Sequence, residues 1–129
     1  MHKARVTDVE LRFGDHGPGY IVRGPRTDVG YVVLPPGQDF PNHYHETIEE
    51  GFYTIAGTVT LWLNGRERHE LTAGDYIRCD PYDMHYFVNE GDEPWRALFV
   101  KAPYAPKDGV TVEWKPGDPA PELGRPDGG

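Results

Sequence analysis

The sequence predicts an all-β protein. Three observations carry that prediction. The 16 glycines and 13 prolines punctuate 129 residues too often for long helices. No stretch repeats its apolar residues at helical spacing. Short β-rich runs recur instead, each bounded by turn residues, at the regular spacing of a sandwich or barrel.

The elements follow in chain order. Tyr20–Arg23 and Val29–Leu34 are β-rich runs broken by Gly-Pro and Pro-Pro. Phe52–Ile55 and Thr58–Leu63 flank Gly57. Asn64-Gly65 is a hairpin signal, because both residues tolerate the positive φ that a tight β-turn requires, and it leads into Arg66–Leu71. The turn Thr72–Asp75 precedes a strand over Tyr76–Cys79, and Asp80–Asp83 turns into His85–Val88. Asn89–Pro94 is a polar turn before a last apolar strand, Trp95–Lys101.

These runs place a barrel over residues 20–102, after an N-terminal arm over residues 1–19. Residues 103–129 form a Pro/Gly-rich tail containing Pro103, Pro106, Pro116, Pro119, Pro121 and Pro126. Proline cannot donate to a ladder, so this tail is expected to form none. Val112 and Trp114 are expected to anchor its first half, and residues 124–129 are expected to lack order.

Composition bounds the function. The length fits one domain with a single core. The net charge of −8, with no basic run, argues against nucleic acid as a partner. A single cysteine, Cys79, excludes an internal disulfide framework and fits a reducing cytoplasm. Its expected role is that of a buried small hydrophobe. No apolar run reaches membrane-spanning length, and the first residues have no signal-peptide core, so neither membrane insertion nor secretion is expected.

Four residues stand out. His43 and His45 form an H-x-H pair, Glu50 follows after a short turn, and His85 comes on a later strand. Strand side chains alternate, so the pair places both imidazoles on one face. A lone histidine on a strand is usually just a hydrogen-bonded, partly buried residue. A histidine pair with a following carboxylate is better explained as a set of ligands for a divalent metal. Glu49 is the alternative carboxylate. Glu50 is preferred because alternation then turns Glu50, Phe52 and Thr54 inward together.

The spacing resembles a known family. Gly37–Gly57 matches the first motif of the cupins, G-x5-H-x-H-x4-E-x6-G, at every fixed position. Gly74–Asn89 is similar to the second, G-x5-P-x-G-x2-H-x3-N. Gly74, His85 and Asn89 match it, whereas Asp80 replaces its proline and Tyr82 its glycine. The turn before His85 is therefore expected to differ locally. The resemblance implies a double-stranded β-helix, or jelly-roll, cupin barrel with His43, His45, Glu50 and His85 as metal ligands. Small cupins often pair, which implies a homodimer. Residues 1–13, with Val6, Val9, Leu11 and Phe13 alternating, are the candidate exchanged strand.

Three imidazoles and a carboxylate suit iron first, with zinc, nickel, manganese and copper as alternatives. They leave one or two open positions for substrate, water or dioxygen. The pocket is expected to involve Phe52, Thr54 and Phe87, with Ala97 and Phe99 preferred over Leu98 and Val100 on the last strand. Trp62, Tyr31, Tyr53 and Tyr76 are aromatic candidates for core, pocket or dimer contact. Arg23, Arg78 and Arg96 are the candidate cations, and any of them turned inward would favour an anionic substrate. Glu46, Glu49, Asp80 and Asp83 read as rim or surface charges.

Two classes of function fit. One is a metal-dependent enzyme acting on a small organic molecule, with a dioxygenase-type oxidoreductase first and a Lewis-acid isomerase or lyase second. The other is a non-catalytic barrel that binds a small ligand. No residue beyond the ligands is assigned a catalytic role, and no organic cofactor is expected.

Overall fold

The computed structural model describes residues 1–125. Its strands are β1 (Gly17–Arg23), β2 (Asp28–Leu34), β3 (Asp39–His45), β4 (Glu49–Ala56), β5 (Val59–Leu63), β6 (Glu67–Leu71), β7 (Tyr76–Cys79), β8 (His85–Val88), β9 (Trp95–Ala102) and β10 (Gly109–Thr111). They form two five-stranded antiparallel sheets, β1-β2-β9-β4-β7 and β10-β3-β8-β5-β6. The chain crosses between sheets repeatedly, so neighbours in space are often distant in sequence. The two inner faces enclose one core that includes Leu34, Phe52, Leu61, Phe87, Trp95 and Phe99.

The local chemistry explains the turns. Asn64 and Gly65 have φ of 56° and 64°, and Arg66 N donates to Leu63 O at 3.0 Å, closing the β5–β6 hairpin. Gly57 has φ of 75°, and a Cβ there would lie 2.2 Å from Pro94 O, so only glycine fits. Asn89 clamps the β8–β9 connection. Its amide donates to Leu34 O and Glu93 O, both at 2.8 Å, and its carbonyl accepts from Gly91 N.

The ends depart from expectation. The arm forms a 3-10 turn over Val6–Asp8 and no regular strand over residues 1–13; Val6 and Phe13 are exposed. The ladder starts at Gly17, three residues earlier than read from the Tyr20 run. The tail does form a ladder, because Gly109–Thr111 lies between its prolines and pairs with β3. Trp114 is buried against Trp62 and Tyr86, and Val112 N donates to Asn42 O. Of the segment 124–129, Gly124 lies beside Tyr44 and Arg125 pairs with Asp83 at 2.8 Å; residues 126–129 fall outside the described residues.

Candidate metal centre

Three strands build the site. β3 carries His43 and His45, β4 carries Glu50, and β8 carries His85. His43 pairs in register with His85, and a one-residue bulge between Phe40 and His43 shifts the register of β3 just before it. Bulges re-aim side chains beside functional sites, and this one sets His43 against His85 with ring centroids 4.3 Å apart. The ligand atoms of His43, His45, Glu50 and His85 all lie within 4.8 Å of one another. Glu50 Oε1 lies 3.1 Å from His45 Nε2 and 3.5 Å from His85 Nε2.

Backbone carbonyls orient two rings. His43 Nδ1 donates to Pro41 O at 2.8 Å, and His85 Nδ1 donates to Asp83 O at 3.0 Å. Each bond fixes Nδ1 as the donor and leaves Nε2 as the atom that would meet a metal. The third support comes from the tail. Asp108 Oδ2 accepts from Thr47 N and Ile48 N, both at 2.9 Å, and lies 4.0 Å from His45 Nδ1. Asp108 therefore holds the short turn that joins His45 to Glu50.

The residues fit a cation. His85 Nε2 and His45 Nδ1 are buried without a hydrogen-bond partner among the described residues. A buried polar atom left unpaired costs about 1–3 kcal/mol. A divalent ion among the four side chains would satisfy His85 Nε2 and the Glu50 carboxylate together.

Protonation follows from the surroundings. Burial, reinforced by neighbouring His85, lowers the pKa of His43 to about 4. Burial opposes ionisation of Glu50, but His45 and His85 outweigh it and hold the carboxyl well below its usual range. Burial also opposes a charge on His85, yet Cys79 and Glu50 beside it raise its pKa to about 10. Without a metal, Glu50 is thus ionised, His43 neutral and His85 protonated.

A cavity of about 270 Å³ opens onto His43 and Glu50. Phe40, Phe52, Phe87 and Phe99 give it aromatic walls. Phe52, Phe87 and Phe99 therefore stand where expected, and Ala97 also faces inward, whereas Val100 is exposed. Thr54 does not line the cavity. It is fully buried, and its hydroxyl accepts a hydrogen bond from Trp95 Nε1 at 3.0 Å.

The cations differ from those expected. Arg78 lies outside against Glu49 and Asp80, Arg96 donates to Tyr31 Oη, and Arg23 stacks over Tyr20. None of the three lines this cavity; Arg12 and Lys101 do. Lys101 had a signal in the sequence, because the inward alternation of Ala97 and Phe99 continues to it. Arg12 sits on the irregular arm, where no period marks it. Glu49 is half-exposed and paired with Arg78, as an outward residue should be. Asp83 is more enclosed than a rim charge: it accepts from Asp80 N and from Arg125. Cys79 is buried, as expected, but it has a titratable neighbour in His85. Tyr82, at the motif's glycine position, adopts a left-handed conformation that favours glycine, with φ of 70°, and donates its N–H to His45 O at 2.7 Å.

The chain is similar to known proteins in sequence and fold. Residues 30–101 match the family model for the cupin domain. Polyketide synthase CurC of Streptomyces cyaneus is 38% identical over 80 residues, which are 61% of this chain and 51% of that protein. Quercetin 2,3-dioxygenase of Bacillus subtilis is 30% identical over 81 residues, 60% of this chain and 24% of that protein. The chain thus spans about half the length of the first relative and a quarter of the second. A double-stranded β-helix protein from Klebsiella pneumoniae has the same fold, with a TM-score of 0.76 at 22% identity, covering 88% of this chain and 99% of the other. The family match and the shared fold make this chain a member of the cupin family, built on the double-stranded β-helix barrel.

Proposed function

We propose that this cupin is a metal-dependent enzyme acting on a small organic molecule, and that its first activity is that of a dioxygenase. One observation carries the reading: the four donors converge beside a cavity, with His43 and Glu50 on its wall. A purely structural site would be sealed, whereas His43 and Glu50 border a cavity. His43, His45, Glu50 and His85 would hold the ion, and iron would supply dioxygen chemistry where zinc, nickel or manganese would supply Lewis acidity. The aromatic walls exclude water from the reacting face. The likeness to a quercetin dioxygenase supports the oxidative reading.

A second reading is Lewis-acid isomerase or lyase chemistry. The ammonium of Lys101 on the cavity wall favours it, because it can steady an anion formed on the substrate. Oxygen uptake separates the two. Iron-loaded protein, prepared anaerobically and given candidate substrates, should consume dioxygen in step with product. Turnover without oxygen uptake would replace the first reading by the second.

We further propose that the protein is a cytoplasmic homodimer. No helix among the described residues is long and apolar enough to cross a membrane, and Cys79 is a free thiol. Tyr53, Ile55, Tyr76 and Val100 expose apolar surface on the outer face of β4, β7 and β9, which suits pairing of sheets. A monomer at every concentration in light scattering would reject the dimer.

A further inference from the structure

The cavity has a second polar end. Lys101 stands opposite Glu50 on β4 and opposite Asp28 on β2 in the sheet register. Its Nζ donates to Tyr20 Oη at 2.9 Å, and both side chains line the cavity. Among the described residues, the hydroxyl proton of Tyr20 meets no acceptor, and the ammonium keeps further N–H donors unused. Two adjacent donors therefore face the same space. Exposed Arg12 adds a second positive charge on its solvent side.

Charge points the same way. Lysine is cationic at neutral pH, and Tyr20 Oη accepts one N–H of Lys101. A divalent ion would more than cancel Glu50, leaving the cavity positive. Phe40, Phe52, Phe87 and Phe99 also line the cavity. Gly30 leaves the room that Phe99 fills, since a Cβ there would lie 2.0 Å from its ring.

We propose that Lys101 and Tyr20 form a carboxylate-binding subsite, and that the substrate is a small monocarboxylic acid with a flat, apolar body. This deepens the enzymatic reading above, which supplies the metal end of the cavity. The carboxylate accepts from Lys101 Nζ and Tyr20 Oη, while the body lies between the phenylalanine rings. Lys101 is a binding and specificity residue, and the metal ligands are separate from it.

The test is a binding titration with 2-hydroxybenzoate and its uncharged amide, on metal-loaded and metal-free protein. The carboxylate should bind at least tenfold tighter than the amide. Lys101→Met should remove that preference while metal content stays unchanged, and Lys101→Arg should largely restore it. Tyr20→Phe should weaken the carboxylate several-fold and leave the amide alone; this variant and Lys101→Arg keep the test decisive if Lys101→Met does not fold. Equal affinity for the two probes, no binding of either, or a preference that survives Lys101→Met would overturn the subsite. A Lys101-dependent preference in a protein that takes up no metal would keep the subsite and reject the metal-enzyme reading.

Discussion

Glu50 on β4 stands directly opposite Lys101 on β9, and both line the cavity. The carboxylate faces the histidines on one side and the ammonium on the other. Glu50 therefore belongs to the buried site, whereas its neighbour Glu49 faces out to Arg78. Replacing Glu50 by Ala should weaken metal binding by about tenfold or more, a loss comparable to that of an orienting ligand partner. Glu49→Ala should leave it within twofold. Competition with a chromophoric chelator measures both, and a larger loss at Glu49 would reverse the assignment.

Metal uptake should depend on pH with a defined sign. Between about pH 5 and 9, His43 is already neutral, with its pKa near 4, and Glu50 is already ionised. His85 keeps its proton up to about pH 10, so a metal must displace that proton. Affinity should rise about tenfold per pH unit across this window, with one proton released per ion bound. A flat profile would show that His85 is not protonated in the metal-free site.

The tail supports the site through Asp108. Its carboxylate holds the N–H groups of Thr47 and Ile48 in the turn between two ligands. Asp108→Ala should lower metal affinity by about 10-fold to 100-fold, the range seen for partners that orient ligands. The barrel should remain folded, as read by circular dichroism. Unchanged affinity would mean that the turn holds its shape without the tail.

Tyr82 bears a conformational cost. Its φ of 70° is unfavourable for a residue with a Cβ, by about 1–2 kcal/mol. Its ring stacks on Tyr44, with centroids 5.6 Å apart. Tyr82→Gly should therefore be more stable than Tyr82→Ala by about 1 kcal/mol, reversing the usual order of those residues. Urea denaturation of the pair decides it, and an Ala variant of equal or greater stability would show that the backbone there is not strained.

Much of this was legible in the chain. The strands Tyr76–Cys79 and His85–Val88 match their sequence reading end to end, because turn residues bound them on both sides. His43, His45, Glu50 and His85 were readable because strand alternation and fixed spacing force them onto inner faces. Other parts were hidden for physical reasons. The β10 strand is three residues long within a proline-rich tail, and its partner lies more than sixty residues earlier in sequence. Asp108 works through a distant turn, and Arg12 comes from an arm without periodicity. Thr54 was correctly placed inward, but facing inward does not decide whether a side chain meets a cavity or, as here, the Trp95 indole.

The central claim is that His43, His45, Glu50 and His85 hold one catalytic metal ion. Elemental analysis of the untagged protein, as purified and after anaerobic reconstitution, tests it most directly. The prediction is about one equivalent of a first-row transition metal per chain, lost when His43, His45 or His85 is replaced by Ala while the barrel stays folded. No metal in either preparation, or full occupancy retained in all three variants, would contradict the claim.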